Sequence, residues 1–136
     1  MNYLLDSNAC IALLNQSSER VRENFGSAKL AKSQLFLSSI VIHELWFGVA
    51  NSERSRWNTP ILRKFISQGF VTIDFTDRDA EIAGQVRATL RTAGTPVGAY
   101  DTLIAGQALA RGLALVTANT REFSRVDGLK LVDWTL

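Results

Sequence analysis

The sequence predicts a single α/β domain, residues 1–136, with a mainly parallel five-stranded sheet flanked by helices. Three observations predict it. Five short apolar runs of strand character recur along the chain. Amphipathic or apolar helical segments separate them, the alternation expected of parallel strands joined by crossovers. No repeat, low-complexity tract or interdomain linker interrupts the 136 residues, a length that one core can serve.

Residues 2–5 (Asn-Tyr-Leu-Leu) read as a short buried strand that stops at Asp6, and residues 9–14 as a short apolar helix. Residues 18–32 have helical composition, with Val21, Phe25, Ala28 and Leu30 set among charges and Ser18-Glu19 as the start. Residues 35–38 form a second strand. Ser39 is then expected to cap a strongly apolar helix, residues 40–50, in which Glu44 is the only acid. Residues 51–58 are polar and turn-like, with partial helix as the alternative. Thr59-Pro60 opens the next helix, because proline suits the first helical position; Ile61, Leu62, Phe65 and Ile66 are its stripe, and it ends at Gly69.

Residues 70–75 are a third strand. A helix starting at residues 76–79 runs to about Thr92, with Ala80, Ile82, Ala83, Val86 and Leu90 inward. Residues 94–98 hold two glycines and a proline, a turn. The helix that follows, to about Ala110, carries almost no charge and belongs inside the molecule. Asp101 sits in its first turn. Gly112 ends it, residues 113–117 make a fourth strand, residues 120–123 a helical turn, and residues 129–133 a fifth strand.

Composition excludes several classes. Hydrophobic residues are 46% and charged residues 21%, ordinary for a soluble globular chain. No apolar run approaches membrane-spanning length, and the N-terminal residues lack the features of a signal peptide. One cysteine allows no internal disulfide, which suits a reducing cytoplasm. The net charge of +2 is mild, but eleven of the fifteen basic residues are arginine, the better bidentate phosphate ligand, which favours a nucleic-acid partner modestly.

Three acids stand out. Asp6, Glu44 and Asp101 each lie within or beside apolar sequence at or near a strand-to-helix junction, whereas Glu19, Glu23, Glu53 and Glu81 lie on solvated faces. Parallel sheets gather the carboxyl ends of their strands at one edge, so junction acids can converge there. Converging carboxylates repel unless a cation intervenes, and oxygen ligands select Mg²⁺ or Mn²⁺. Such a site suits phosphodiester hydrolysis. Helix capping explains Asp6 or Asp101 equally well when each is taken alone. Asn119 and Glu122, in the polar turn after the fourth strand, are candidates to add a carbonyl, a water-mediated contact or a charge.

Other motifs fail. The His43-Glu44 pair lacks the second histidine of a zinc protease, since the chain has one histidine. Cys10, in an apolar helix, reads as core rather than as a nucleophile paired with His43. The glycines at 94 and 98 match neither dinucleotide nor P-loop patterns. A phosphate-handling protein of the haloacid-dehalogenase or receiver type also places an Asp after a strand, but Asn8 stands where the former wants a second Asp. Both want a late lysine, and Lys130 lies in the wrong context. A non-enzymatic RNA- or protein-binding module is the remaining alternative.

Asp6 after the first strand, Ser-Ile-Val-Ile-His-Glu-Leu around Glu44, Gly-Thr-Pro-Val-Gly-Ala-Tyr-Asp-Thr-Leu-Ile-Ala-Gly around Asp101, and Leu-Val-Thr-Ala-Asn-Thr-Arg-Glu-Phe resemble the PIN-domain ribonucleases. The likeness is strongest to VapC toxins of bacterial type II toxin–antitoxin modules and covers essentially the whole chain. It implies Asp6, Glu44 and Asp101 as metal-binding acids, with Thr117, Asn119 and Glu122 completing the shell through water. Many PIN domains carry Asp where this chain has Asn119. It further implies cleavage of structured RNA such as a transfer or ribosomal RNA hairpin, a small VapB-like antitoxin whose tail occupies a groove, and a homodimer. Arg87, Arg91, Arg121 and Arg125 are candidate phosphate contacts. Trp46, Phe47 and Trp57 mark the expected antitoxin groove, with Trp57 the exposed member and Trp46 or Phe47 closer to the core.

Overall fold

The strands are β1 (Tyr3–Leu5), β2 (Leu35–Ser38), β3 (Val71–Ile73), β4 (Ala114–Val116) and β5 (Leu131–Val132). In the computed structural model, which describes residues 1–136, all pair in parallel in the order β3-β2-β1-β4-β5. Helices α1 (Ser7–Asn15), α2 (Glu19–Leu30), α3 (Ser39–Ala50), α4 (Ser55–Ser67), α5 (Asp77–Thr92), α6 (Ala99–Arg111) and α7 (Thr120–Phe123) connect them. The expected class is therefore the observed one, with strands trimmed at their ends.

Strand order creates the site. From β1 the chain steps outward to β2 and β3, then returns to the other side of β1 with β4 and β5. The direction of winding reverses between β1 and β4, and open α/β sheets hold their ligands in the crevice outside such a reversal. Leu5 pairs with Val116, so Asp6 and Thr117 leave the sheet side by side, and the Asp6 N–H donates to the Val116 carbonyl at 3.1 Å.

Both faces of the central strands are covered, which is why they read as unbroken apolar runs. Leu4, Leu5, Leu37, Leu115 and Val116 are buried among Cys10, Val41, Ile104, Ala105 and Ala108 from the helices. Helix α6 lies deepest, as its lack of charge predicts. Its Gly106 meets α5 so closely that a Cβ there would lie 2.5 Å from both Cα and Cβ of Ala83. Gly112 adopts φ 64° after the last turn and stops α6, its N–H bonding back into the helix.

Local expectations fail at four places. The cap of α3 is Ser38, whose hydroxyl accepts from the Ile40 N–H at 3.1 Å. Ser39 is already helical, and its hydroxyl instead accepts from the Phe75 N–H at 3.1 Å. Helix α4 starts at Ser55, a turn before Thr59-Pro60, and carries Pro60 inside it. The Thr59 hydroxyl donates to the Ser55 carbonyl at 2.7 Å, a local bond of the kind that accompanies bending where proline removes a backbone donor. Ala80 faces solvent, and its neighbour Asp79 is the buried residue. Phe47 is 64% exposed rather than core.

Candidate active site

Asp6 occupies the N-cap of α1, with extended backbone, and its Oδ1 accepts from the Ala9 N–H at 2.8 Å. Its carboxyl is buried. Burial raises its pKa above the ordinary value and the Asp133 charge adds to this, while the Thr117 side chain and the Ala9 N–H oppose it. Capping and the crevice position thus coexist in one residue.

Glu44 reaches the same crevice from the second turn of α3, where the Ser7 hydroxyl donates to its Oε2 at 3.2 Å. Its pKa is also raised, first by burial and then by the charges of Asp101 and Asp6; Ser7 and His43 offset part of this. Asp101 is the third residue of α6. The cap of that helix is Gly98, no side chain caps it, and the Asp101 carboxylate accepts no hydrogen bond. A helix N-terminus favours an anion. Even so, burial, Glu122 and Asp6 leave the Asp101 carboxyl above its usual range. The capping explanation for Asp101 is therefore excluded by geometry.

Asn119 and Glu122 follow the carboxyl end of β4. The Asn119 side-chain amide donates to Glu122 Oε2 at 3.3 Å, and the Asn119 N–H donates to the Thr117 hydroxyl at 3.0 Å. Glu122 thereby faces Asp101, close enough for its charge to register there. Neither ion pair of the molecule, Arg78–Glu81 or Arg111–Asp79, involves any of these groups. The crevice is a place of uncompensated negative charge.

Asp79 provides the contrast. It is more deeply buried than any of the three, yet its pKa is lowered. Burial would raise it, but the Thr76 N–H (2.9 Å), Arg111 (3.1 Å), Gln107 (3.0 Å) and the Thr76 hydroxyl (3.1 Å) outweigh that effect. Four donors mark a structural acid; Asp6 has the Ala9 N–H and the Thr117 side chain, Glu44 has Ser7, and Asp101 has none. Sequence reading passed over Asp79, although Thr76-x-x-Asp79 is a capping-box spacing that signals part of this network.

The donor set fits a hard divalent cation: oxygen ligands only, with pKa values raised first by burial and, for Glu44 and Asp101, also by neighbouring carboxylates. No three His, Cys, Asp or Glu side chains close tightly enough to cage an ion by themselves. That agrees with Mg²⁺ chemistry, in which one or two carboxylates suffice and water and substrate phosphate complete the shell.

The remaining candidates disperse. Arg87, Arg91, Arg121 and Arg125 are exposed, and Arg125 also donates to the Pro96 carbonyl at 3.3 Å, tying down the turn before α6. Trp46 is half-buried beneath the Arg63 guanidinium, 5.1 Å from its ring centre, while Phe47 and Trp57 are exposed. An apolar cleft of about 270 Å³, lined by Ile11, Leu14, Leu45, Ile61 and Leu62 among others, opens between α1, α3 and α4 with Glu44 in its wall. Sequence reading missed it, because its lining is drawn from three helices. Cys10 is fully buried, and burial pushes its thiol up, out of reach of nucleophilic chemistry.

Residues 3–129 match the PIN domain family. The chain is 40% identical over 134 residues to the tRNA(fMet)-specific endonuclease VapC of Salmonella typhimurium, covering 98% of each. The chain belongs to the PIN-domain family, in its VapC branch. This PIN domain superposes on the VapBC2 structure from Rickettsia felis bound to a promoter DNA fragment with a TM-score of 0.91. Identity there is 33%, with 98% of this chain and 99% of that one covered. It superposes on DNA-bound VapBC from Salmonella typhimurium with a TM-score of 0.89 and 38% identity, covering 98% of each chain.

Proposed function

We propose that this PIN domain is a Mg²⁺-dependent endoribonuclease, the toxin of a toxin–antitoxin pair, that hydrolyses phosphodiester bonds in a structured RNA. What supports the reading is that Asp6, Glu44 and Asp101 are each raised by burial, and that Glu44 and Asp101 are near enough to the other acids to be raised by their charges as well. The relatives' names, a tRNA(fMet)-specific endonuclease and a ribonuclease, support it and make a transfer RNA the first substrate to try, with ribosomal hairpins next.

Asp6, Glu44 and Asp101 would hold Mg²⁺ or Mn²⁺, one or two of them directly and the rest, with Asn119 and Glu122, through water. A divalent ion so held makes water nucleophilic at neutral pH and offsets charge on the phosphate. Around it the chain's own groups have separate tasks. The Ala9 N–H fixes Asp6, and Ser7 fixes Glu44, each in one orientation. Asp101, bound by no donor, is the carboxylate free to take the proton of the attacking water. The Asn119 amide keeps Glu122 turned toward the crevice. Arg87, Arg91, Arg121 and Arg125 would meet backbone phosphates.

A VapB-like antitoxin is the protein partner, in keeping with the VapBC assemblies among the structural neighbours. The cleft between α1, α3 and α4 suits an amphipathic helix, and Glu44 in its wall would let an occupant cover the site; Trp46, Phe47 and Trp57 do not line it and would meet other parts of the antitoxin. A homodimer acting in the cytoplasm completes the proposal; no helix is long and apolar enough to cross a membrane.

The test is incubation with total RNA, with Mg²⁺ and with chelator, mapping new 5′ ends. Asp101→Asn should reduce cleavage by about 10²–10⁴-fold with the fold intact. Full Mg²⁺-dependent activity in that variant would refute the assignment.

A further inference from the structure

Two exposed rings adjoin one another beside the crevice acids. His43 precedes Glu44 on α3, and Tyr100 precedes Asp101 on α6; their ring centres lie 5.7 Å apart at an interplanar angle of 39°. Successive residues on a helix point about 100° apart, so each ring stands beside its acid rather than over it. Both residues are exposed, Tyr100 by 51%. Neither the tyrosine hydroxyl nor the imidazole makes a hydrogen bond. The pair spans the two helices that carry opposed carboxylates. At this tilt the two rings are not stacked in parallel on each other.

We propose that the His43–Tyr100 ring pair is a stacking step for an unpaired RNA base beside the scissile phosphate. The proposal rests on the nuclease reading above and adds a preference to it. A nucleotide whose phosphate lies against Glu44 and Asp101 has its base one sugar away, at the distance of the neighbouring residues. A base in a duplex has both faces covered by its neighbours, whereas an unpaired base has a face to offer. The ring pair therefore selects loops and single strands over helices, and it is indifferent to base identity because every base has a π-face.

The probe is a hairpin RNA with 2-aminopurine at each loop position in turn, mixed with enzyme in Mg²⁺ and followed by stopped flow so that quenching is read before cleavage. Wild-type protein should quench one loop position. Tyr100→Ala should lose that quench and raise KM about ten-fold with kcat within about two-fold, as expected for a lost base–aromatic stack, and His43→Ala should lose the quench and raise KM likewise. Tyr100→Phe should retain the quench and the low KM, and thermal melts of all variants should match wild type. Wild-type cleavage with no quench at any position, or alanine variants with wild-type quench and KM, would overturn the stacking step alone. A wild-type protein that neither binds nor cuts any hairpin would remove the nuclease reading and the stacking step together.

Discussion

Replacing Gly106 with alanine should be among the most damaging single changes in the chain, because backbone stands in the way. The added Cβ would lie 2.5 Å from Ala83 Cα, 2.5 Å from its Cβ and 2.7 Å from its N. Carbon atoms in contact prefer about 3.5–4.0 Å, so α5 and α6 must part by about 1 Å or more. Overpacking of this kind costs about 1–3 kcal/mol. Parting the helices also stretches the bonds from Gln107 and Arg111 on α6 to Asp79 on α5, 3.0 and 3.1 Å long, and hydrogen bonds to a charged group contribute about 1.5–3 kcal/mol each. Partial loss of these adds to the clash, so we expect about 3 kcal/mol in a urea melt. For a chain of this length that is about 10 °C in Tm. Ala83→Gly in the same chain should rescue little, since it removes one of the three offending atoms and leaves Cα and N. A loss under about 1 kcal/mol, or full recovery in the double variant, would refute the close approach.

The site acids make metal-free stability fall with rising pH. Their folded pKa values are raised, so the stability they contribute is complete below their unfolded values near 4 and is lost as pH rises through the folded ones. Mg²⁺ should restore it near neutrality, by about 2.7 kcal/mol at a hundred-fold excess over Kd, and Asp101→Asn should blunt both effects; thermal melts in chelator and in Mg²⁺ that coincide at pH 7 would contradict this. Asp79 titrates with the opposite sign, losing stability only below about pH 4, so the two windows do not overlap. Reversing Arg87 and Arg91 together should weaken RNA binding and flatten its dependence on log salt by about 0.7–0.9 for each phosphate that is no longer neutralised; an unchanged slope would place RNA elsewhere. Trp57→Ser should weaken binding of the antitoxin by at least ten-fold in calorimetry, and unchanged affinity would move the interface off this turn.

What was legible in the sequence was whatever one segment decides by itself. Residues 2–5, 35–38 and 113–117 read as strands because both sheet faces are covered, and α6 read as buried because it lacks charge. Asp6, Glu44 and Asp101 read as anomalous because acids in apolar sequence demand an explanation. What remained hidden depends on segments far away. Which of Ser38 and Ser39 caps α3 is decided by the Phe75 N–H, 36 residues beyond Ser39, which draws off one hydroxyl. Asp79 looks like an ordinary helix-start acid until Gln107 and Arg111 arrive from 28 and 32 residues further on. Pro60 misleads for a different reason: its preference for the first turn is a tendency, and the tertiary packing of Leu62 prevails over it. The apolar cleft belongs to three helices at once and has no signature in any one of them.

Two treatments of buried acid within one fold explain how the site is held. Asp79 is neutralised by its donors and locks α5 to α6, and the close approach at Gly106 lets those helices lie near enough for Gln107 to reach it. Arg125 fixes the turn before α6 through the Pro96 carbonyl, and Thr102 closes its first turn by donating to the Gly98 carbonyl at 2.9 Å. Asp101 therefore projects from a helix restrained along its length while its own carboxylate is bound by nothing. Strong local restraint behind an unsatisfied carboxylate keeps three repelling charges from swinging apart into solvent. The stability of the α5–α6 pair thus balances the destabilising charge at its mouth, which is why loosening the helices at Gly106 should lower metal affinity as well as Tm.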